Sequence, residues 1–411
     1  MKTTAAVIDF GTNKIVTVLA ESGSFSRCEI RGTGTVPYAG FQKGQWLEPI
    51  ELPGLVRQSI AAAELEAKAT IKDIFVSAPA DFIRIKLADA EVPVAAPEGH
   101  VTEEDMDAVH DAAADALGLG LTGGTVVHRS PAWFSVDGGR KTMTPKNERR
   151  GGKMLRALTS FVLLEDSFVQ QMRELFAGLQ INIRGFVSPA LGDAILYIPT
   201  EDRDLSTAIL IDVGYLNTEI SVVEGDAIVY HRVLPVGGGY ITADLAENLE
   251  LNMESAEKLK REFSFEQDEL EEKKTYSVLL DGAKLEFEYA HIANAMARTM
   301  DELLSGIEDS LREAGAAVSP SSKVFLTGGG LAPMKGAADW LCDMLGRPVK
   351  VVQANSAKLN GPWFAGALGE LDQIFDTLEP RSAQDETVPG KIVSGMKNFF
   401  RKEDKPETEQ E

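Results

Sequence analysis

Two Asp-x-Gly sequences could hold a phosphate and its metal ion. Asp212 ends an aliphatic run and is followed by Gly214 and a second apolar run, in AILIDVGYLNTEISVVEG. The same plan occurs near the N-terminus, where Asp9 and Gly11 stand in AVIDFGTNKIVTVLAE. An acid at the end of a strand, beside backbone amides left accessible by glycine, suits a phosphate with a divalent cation. Two such half-sites predict a duplicated fold that closes on one nucleotide.

Glycine runs follow the second hairpin at two places. Gly237, Gly238 and Gly239 come one strand later, and Gly328, Gly329 and Gly330 end the aliphatic strand VFLT and are expected to lead directly into a helix. Alone, an Asp-x-Gly-Thr hairpin or a glycine run also fits an ordinary turn. In this order the runs predict loops whose bare backbone lets a nucleotide approach closely. Their spacing is neither that of a P-loop nor that of a dinucleotide-binding fold.

Length and charge limit the classes of function. A chain of 411 residues exceeds the ~250–300 at which single cores stop growing, so two or more domains are expected. The composition, 44% hydrophobic and 25% charged, is typical of a folded globular protein. The formal net charge of −22 argues against a broad nucleic-acid surface, which needs a basic stripe. Expected partners are proteins, nucleotides or a surface reached through a local basic patch.

Cysteine usage and the absence of targeting signals indicate a cytoplasmic protein. Cys28 and Cys342 match no metal-ligand spacing and are expected to be reduced, buried thiols. No N-terminal signal is expected, because residues 1–4 lead straight into the strand that carries Asp9. The sequence contains no run of ~18 apolar residues, so no segment is expected to span a membrane.

Strands and helices alternate in both halves, which is typical of an α/β fold. Residues 84–163 predict a small α+β insertion, in which Thr102 caps a helix. The acids at 103–107 are interpreted as the start of that capped helix, and His110 and His128 as surface or core residues rather than metal ligands. Residues 200–205, TEDRDL, are interpreted as a polar linker before the second hairpin.

The C-terminal stretch carries an amphipathic segment. Residues 376–390 are acidic and contain two prolines, which indicates a flexible tether. In the helix predicted next, apolar side chains share one face and basic side chains flank them: Ile392, Val393, Met396, Phe399 and Phe400, with Lys391, Lys397, Arg401 and Lys402. Such a helix favours an anionic membrane interface, while docking on the protein's own core or in a partner groove is the alternative. The acidic tail at 403–411 is expected to weaken lipid binding.

The order of these motifs is similar to that of a known superfamily. The two Asp-x-Gly hairpins and the later strand ending in three glycines resemble the phosphate 1, phosphate 2 and adenosine motifs of the actin, Hsp70 and sugar-kinase superfamily. AEKLKRE resembles the helix that in this superfamily offers a Glu and a Lys to ribose and adenine. The matching positions here are Glu257 and Lys260. LPVGGGYITADLA resembles a signature sequence of the bacterial cell-division FtsA family. Four residues match that signature: Gly237, Gly238, Thr242 and Asp244. The resemblance to FtsA covers essentially the whole chain.

This resemblance implies an α/β, actin-like fold of duplicated ribonuclease-H-like domains. The implied boundaries are 1–83 and 164–204 for subdomain 1A, 84–163 for an FtsA-type inserted subdomain 1C, 205–237 and 295–375 for 2A, 238–294 for 2B, 376–390 for the linker, 391–402 for a membrane-targeting amphipathic helix and 403–411 for the acidic tail. The implied cofactors are ATP and Mg²⁺, with the metal ion held by Asp9 and Asp212 through water. The implied nucleotide-binding residues are Asp9, Gly11, Thr12, Asn13, Lys14, Asp212, Gly214, Asn217, Thr218, Gly237, Gly238, Glu257, Lys260, Gly328, Gly329 and Gly330.

The resemblance also implies a function and its partners. FtsA proteins form filaments on the cytoplasmic face of the cell membrane, tether the tubulin-like FtsZ ring and recruit later division proteins. The implied partners are the FtsZ C-terminal peptide, further copies of the chain, anionic membrane lipid and later division proteins, with no nucleic acid. The implied location is peripheral, at the division site, with the FtsZ contact on the subdomain at 238–294. A pilus-assembly actin-like adaptor or a small-molecule kinase of the same superfamily is the alternative.

Several residues depart from the FtsA pattern. Tyr215, Leu216 and Asn217 stand where the second turn usually carries Gly-Gly-Thr, and Glu219 replaces an Asp. Bulky side chains in a turn whose amides should approach a phosphate predict an altered affinity or geometry of nucleotide binding. Ser188 lies near the place where hydrolysing relatives carry a Gln or Glu that positions water, and a serine is not a comparable base. We therefore expect slow or absent ATP hydrolysis.

Overall fold

Two five-stranded sheets with the same strand order organise the chain. The computed structural model describes residues 2–23, 28–119, 124–147, 152–204, 206–266, 275–280 and 282–378. The first sheet contains β1 (Thr4–Phe10), β2 (Lys14–Ser22), β3 (Cys28–Pro37), β6 (Asp73–Ser77) and β10 (Asn182–Val187). The second contains β11 (Ala208–Val213), β12 (Thr218–Glu224), β13 (Ala227–Leu234), β16 (Val324–Thr327) and β17 (Val349–Val351). The predicted tether and amphipathic helix lie outside the described residues, apart from the first three residues of the tether.

The two sheets repeat one topology. Their orders are β3-β2-β1-β6-β10 and β13-β12-β11-β16-β17. In each, three antiparallel strands form a meander, and two parallel strands continue the sheet from its central hairpin. The hairpins β1–β2 and β11–β12, which carry the two Asp-x-Gly sequences, therefore occupy equivalent positions. This confirms the duplication predicted from the sequence.

Helices cover both faces of the first sheet. α1 (Leu52–Ala67) and α3 (Asp166–Leu179) pack on one face, and α10 (Ala365–Leu378) packs on the other. Because β1 is buried on both faces, its residues form a nearly continuous aliphatic run instead of alternating with polar ones. Two short strands, β4 (Phe41–Gln42) and β5 (Gln45–Trp46), form a hairpin beside this half.

The second half has the same layered construction. One face of its sheet is covered by α6 (Gly238–Asn248), α7 (Met253–Glu262), α8 (Tyr289–Ala314) and α9 (Ala337–Leu345). The other face packs against α4 (Pro189–Tyr197), which follows the first half in the chain. A hairpin of β14 (Thr275–Leu280) and β15 (Ala283–Glu288) lies beside α7 and α8, and β18 (Ala354–Asn355) pairs with β19 (Asn360–Gly361) before α10.

The inserted segment forms a three-stranded sheet with one helix. Its strands β7 (Ile83–Pro93), β8 (Thr125–Val136) and β9 (Met154–Leu164) run in the order β7-β9-β8 and are antiparallel, and α2 (Glu103–Ala116) packs on them. Thr102 and Asp105 form a reciprocal capping box, as the sequence predicts. His110 and His128 are buried, and burial lowers the pKa of each, to about 4 and about 3. Both are therefore neutral core residues.

Three expectations from the sequence are wrong. Residues 200–203 form a helical turn, α5 (Thr200–Arg203), instead of a loose linker, because the Arg203 side chain is buried between the two halves. The glycines at 328–330 do not lead directly into a helix, since turns separate them from α9 at Ala337. The thiols of Cys28 and Cys342 are reduced but only half-buried.

Within the described part of the chain, no helix has the length and apolar character needed to cross a membrane.

Candidate functional site

A cavity of about 630 Å³ lies between the two halves. It brings together both Asp-x-Gly hairpins, one face of α7, the glycine loop after β16 and the segment before α10. Most of the residues that the sequence singled out line this cavity: Asp9, Gly11, Thr12, Asn13, Lys14, Asp212, Asn217, Glu257, Lys260, Gly328 and Gly329. The duplicated sheets thus place two distant sequence motifs on opposite walls of one site.

The first hairpin is held from behind by the loop that follows β3. The Tyr38 hydroxyl donates a hydrogen bond to the Gly11 carbonyl oxygen at 2.6 Å, and the Tyr38 amide donates one to the Asn13 carbonyl oxygen. Lys14 reaches across the cavity, where its Nζ donates to the Trp363 carbonyl oxygen at 2.7 Å and lies 4.2 Å from the centre of the Phe364 ring. The hairpin therefore presents a fixed backbone and one cationic side chain.

Two partly buried carboxyl groups face this cation, one from each hairpin. Burial raises the pKa of Asp9 to about 6, although the nearby Lys14 and a hydrogen bond from Ser77 oppose the shift. Burial and repulsion from Asp9 raise the pKa of Asp212 to about 7. Burial also lowers the pKa of Lys14 to about 8, against the attraction of both acids. Two acids and one ammonium group form a negatively charged, poorly hydrated floor that favours a cation.

A third carboxyl group lies beside Asp212. Glu219 pairs directly opposite Asp212 in the β11–β12 ladder, and it also lines the cavity. Burial and the neighbouring Asp212 raise the pKa of Glu219 well above its usual range. The sequence identified Glu219 as a departure from the FtsA pattern but gave it no place in the site.

The remaining predicted glycines and Thr218 lie behind the cavity wall. The Gly238 amide donates to the Gly214 carbonyl oxygen at 2.8 Å, and the Gly330 amide donates to the Val213 carbonyl oxygen at 2.7 Å. A side chain on Gly238 would place its Cβ 2.4 Å from the Gly330 Cα, so only glycine allows these loops to touch. Gly237 packs against the same hairpin, and the Thr218 hydroxyl donates to the Val236 carbonyl oxygen. These residues hold the loops together, and their amides point into the protein.

Helix α7 supplies a charged group to the opposite wall. The Lys260 side chain is 1% exposed and donates to the Gly238 carbonyl oxygen and the Thr242 hydroxyl at 2.9 and 3.0 Å. It also forms an ion pair with Glu257 at 2.7 Å, while Arg261 binds the other carboxylate oxygen of Glu257. The inner face of α7 is therefore buried and its ammonium group paired, while the outer face is exposed. Asp244, which belongs to the FtsA-like signature LPVGGGYITADLA, does not line the cavity. It joins α6 to α8 by accepting hydrogen bonds from Arg298 and the Thr299 amide.

The turn of the second hairpin contacts the first half directly. The amides of Tyr215 and Leu216 both donate to the hydroxyl oxygen of Thr12, at 3.1 and 3.0 Å. The Asn217 side-chain amide donates to the Asp81 carboxylate at 2.8 Å. The three residues that replace the usual Gly-Gly-Thr therefore all make contacts with the first half, two through backbone amides and one through its side chain.

Several lining residues were missed from the sequence. Trp363, Phe364, Met334, Pro333 and Arg261 give the cavity an apolar wall and a second cation. Trp363 is 44% exposed, whereas the neighbouring Phe364 packs against the core of the first half. Trp363 and Phe364 follow a Gly-Pro pair immediately before the last helix, and a cluster of aromatic residues at such a turn was the available signal. Ser188 is buried and does not line the cavity, whereas its neighbour Pro189 does.

The side chains of the cavity fit a nucleotide with Mg²⁺. Mg²⁺ keeps several waters and binds phosphate oxygens, so one or two protein carboxylates suffice, and Asp9 and Asp212 could supply them. Across the described ranges, no group of three or more His, Cys, Asp or Glu side chains is arranged to hold a metal ion. This is compatible with an ion held through water and phosphate. Lys14 and Arg261 could neutralise phosphate charge, and the apolar wall around Met334 could pack against a base.

Known proteins resemble this chain in sequence and in fold. The family model "Cell division protein FtsA" matches residues 209–369. The cell division protein FtsA of Bacillus subtilis (strain 168) is 24% identical over 371 residues, covering 88% of this chain and 81% of the relative. A structure of the PilM-PilN type IV pilus biogenesis complex matches with a TM-score of 0.59 at 19% identity, covering 91% of this chain and 98% of the other. MreB5 of Spiroplasma citri bound to ADP matches with a TM-score of 0.53 at 9% identity, covering 92% and 99%.

These matches agree with the geometry of the chain. The structural neighbours match the fold over more than nine-tenths of this chain, and the FtsA relative matches along most of both sequences. The α/β, actin-like fold class expected from the motifs is confirmed. The predicted resemblance to FtsA is confirmed as well, because the chain is similar in sequence to FtsA cell-division proteins along most of its length.

Proposed function

We propose that this chain is an ATP- and Mg²⁺-binding cell-division protein that assembles at the cytoplasmic face of the membrane. The observation that carries the nucleotide part is the cavity, where Asp9 and Lys14 of one hairpin face Asp212 of the other. A nucleotide that touches both walls binds the closed arrangement more tightly than an open one, and so stabilises a single angle between the halves. The MreB5 structure, which contains ADP, supports nucleotide binding by this fold.

Each wall has a separate task in this proposal. Lys14 and Arg261 neutralise phosphate charge, Asp9 and Asp212 hold the metal ion through water, and the α7 group of Glu257 and Lys260 contacts the ribose and base. The described residues that line the cavity include no serine, glutamine or histidine that could position or deprotonate a water molecule. Glu219 lines the cavity as well, but burial and the neighbouring Asp212 raise its pKa and so favour the protonated carboxyl group, which cannot accept a proton from water. ATP hydrolysis is therefore slow or absent.

The membrane and partner functions follow from assembly. A single short amphipathic helix at 391–402 binds lipid weakly, but a filament presents many such helices, so that each further insertion becomes intramolecular. Such a filament would anchor the FtsZ ring, with the FtsZ C-terminal peptide binding the subdomain at 238–294, and would recruit later division proteins. The kinship with FtsA supports a role in cell division.

The nucleotide proposal is tested by titrating the full chain with ATP and Mg²⁺ in a calorimeter. Asp9→Asn removes one of the two carboxylates and is expected to weaken binding by roughly tenfold or more, because charge-assisted contacts to a hydrated metal ion are lost. Asp301→Asn, at an exposed position on α8, is the matched control and should bind as the wild type does. Equal affinities for the wild type and Asp9→Asn would contradict the assignment of the metal site.

The membrane proposal is tested by sedimentation with vesicles that contain anionic lipid. Replacing both Phe399 and Phe400 by Glu should release the protein from the vesicles, since it removes the aromatic bulk and adds two negative charges. Leu65→Glu adds charge at a side chain on α1 that is 82% exposed, and it should leave sedimentation unchanged. Sedimentation of the double variant at the wild-type level would overturn the anchor. The pilus-type adaptor would then become the better reading.

A further inference from the structure

The two helices that connect the sheets carry nearly the same short sequence. α4 follows the last strand of the first sheet and contains ALGD, residues 190–193. α10 follows the strands of the second sheet and contains ALGE, residues 367–370. The duplicated fold therefore places two equivalent acids, Asp193 and Glu370, on two equivalent helices.

Close packing of the two helices brings these acids together. A Cβ on Gly192 would lie 2.9 Å from the Glu370 amide nitrogen, and a Cβ on Gly369 would lie 2.4 Å from the Asp193 carboxylate oxygen Oδ1. Neither approach leaves room for a side chain, so glycine is required on both helices. The Asp193 carboxylate therefore lies against α10, beside the residue that precedes Glu370.

The two acids are buried without compensating contacts. Asp193 is 2% exposed and Glu370 is 0% exposed. Within the described part of the chain, Asp193 Oδ1 and both carboxylate oxygens of Glu370 have no hydrogen-bond partner. The Ser77 hydroxyl weakens the rise in the Glu370 pKa but does not complete a hydrogen bond with it. A buried carboxylate without a partner is strongly unfavourable, so this pair needs a proton or a bound cation.

A third buried polar side chain favours a cation. Gln373 lies four residues after Gly369 and three after Glu370, so it shares the α10 face that meets α4. It is 1% exposed, and neither its amide oxygen nor its amide nitrogen has a hydrogen-bond partner among the described residues. A proton would neutralise a carboxylate but leave the Gln373 oxygen unused. A hard cation binds carboxylate and amide oxygens together.

We infer that Asp193, Glu370 and Gln373 bind an alkali metal cation, Na⁺ or K⁺, between α4 and α10. An ion with one charge suits a site with two acids, and the described ranges hold no cluster of three or more His, Cys, Asp or Glu side chains for a metal ion. None of the three residues lines the cavity, so this site is separate from the proposed nucleotide site. The ion would join the connecting helices and so fix the angle between the two sheets.

Protons compete with the ion for the same oxygens. Burial raises the pKa of Asp193 and of Glu370 well above the usual range, and repulsion from neighbouring carboxylates adds to both shifts. The titratable groups that face the pair from neighbouring elements are Asp9 on β1, Asp212 on β11, Glu219 on β12 and Tyr197 on α4. Since the ion must displace protons, it should bind more tightly as the pH rises.

Thermal unfolding of the full chain in NaCl, KCl and choline chloride of equal ionic strength tests the site. Choline is too large for a space between touching helices, so it controls for screening of the net charge. At pH 8.5, NaCl or KCl should raise the unfolding temperature by roughly 2–4 °C over choline chloride. The difference should shrink at pH 6. Equal unfolding temperatures in all three salts at pH 8.5 would overturn the inference and leave protons to neutralise the pair.

Variants of nearly equal size locate the ion. Asp193→Asn should abolish the difference between the salts, and Gln373→Met should reduce it, because each removes a ligand oxygen. Asp301→Asn, on the exposed face of α8, and Asp212→Asn, in the cavity, should both keep the wild-type difference. A difference that is lost in Asp212→Asn and kept in Asp193→Asn would place the ion in the cavity and overturn the inference.

Crystals grown with thallium(I), which replaces K⁺ and scatters anomalously, show the ion directly. An anomalous peak between Asp193 and Glu370 is expected, and a peak confined to the cavity would contradict the site. No nucleotide enters either experiment. The alkali-ion site is therefore decided separately from the proposed binding of ATP, and either can fail while the other stands.

Discussion

Among individual residues, the most unusual feature is the number of partly or fully buried carboxyl groups in and around the cavity. Asp9, Asp212 and Glu219 line the cavity, and burial raises the pKa of each. Asp193 and Glu370 are buried as well, and burial raises the pKa of both well above the usual range. In the folded state these groups bind protons that they lose when the chain unfolds. They therefore destabilise the fold as the pH rises.

Asp212 gives a direct test of this linkage. Its pKa is raised from 3.8 to about 7, so its contribution to stability is full below about pH 4 and is lost as the pH rises towards 7. Asp212→Asn removes the ionisation. At pH 7.5 it should raise the free energy of unfolding by roughly 2–4 kcal/mol over the wild type, and at pH 4 the difference should vanish. Urea denaturation of both proteins across this range measures it.

The control for Asp212→Asn is Asp301→Asn on the exposed face of α8, which should change stability little at any pH. A difference between wild type and Asp212→Asn that stays constant from pH 4 to 7.5 would contradict the raised pKa. Such a result would mean that the Asp212 carboxyl group binds the same number of protons in the folded and the unfolded chain over this pH range.

The sequence predicted some of these residues and missed others for a physical reason. Asp9 and Asp212 belong to local motifs, in which an acid and a glycine two positions later identify the turn. The contact of Thr12 with Tyr215 joins the two halves, and no local pattern encodes it. Tyr215 was interpreted as an obstacle to a phosphate, yet its amide faces Thr12 and its ring packs against Gly239. Side-chain bulk therefore did not indicate where the backbone amide points.

Among secondary-structure elements, the pair α4 and α10 connects the two sheets. α4 packs on the second sheet and α10 on the first, and the two helices cross where Gly192 meets Gly369. A Cβ on Gly192 would lie 2.6 Å from the Gly369 carbonyl carbon, a distance that real contacts do not reach. Small residues at the crossing let the two backbones touch, so the helices connect the two sheets directly.

Gly192→Ala tests this crossing. The added methyl group meets backbone on α10 that cannot move aside without shifting the helix, so we expect a loss of about 1–3 kcal/mol in the free energy of unfolding. Gly178→Ala is the matched control, because a Cβ at Gly178 on α3 meets no atom within 4 Å. It should stabilise the protein by about 0.5–1 kcal/mol through the higher helix propensity of alanine. Similar effects of both substitutions would rule out a tight crossing.

Local signals explain which elements the sequence could predict. The two hairpins and the capped helix α2 were predicted correctly because turn glycines and the Thr102 cap act within a few residues. The error at residues 200–205 has the opposite origin. A polar run predicts a solvated linker, but Arg203 finds buried acceptors on the distant turn between β12 and β13, which sequence spacing does not reveal.

In the whole molecule, the insertion is fixed to the second half instead of projecting from the first. The Ser160 hydroxyl on β9 donates to the Ile228 carbonyl oxygen at 2.7 Å, and the Asp226 amide donates to the Pro131 carbonyl oxygen on β8 at 3.1 Å. A Cβ at Gly225 would lie 2.2 Å from the Ala132 carbonyl oxygen, so the β12–β13 turn lies directly against the inserted sheet. The two halves are joined on this side as well as at the cavity.

Arg203 is the centre of this second junction, and removing its charge should weaken the whole molecule. Arg203 is 1% exposed, and its guanidinium group donates to the Gly225 carbonyl oxygen at 2.7 Å and pairs with Asp226, which is also buried. Arg203→Met keeps most of the volume but leaves the Asp226 carboxylate unpaired, so the free energy of unfolding should fall by about 3–5 kcal/mol at pH 7.5. Burial already raises the pKa of Asp226 against the opposing effect of Arg203, so the loss of stability should shrink on acidification, as Asp226 takes up a proton.

The control is Arg232→Met, which breaks an exposed pair with Glu313 and should cost less than about 1 kcal/mol in the same urea titration. An Arg203→Met loss as small as that control, or one that does not shrink at low pH, would show that packing rather than charge pairing holds the insertion against the second half.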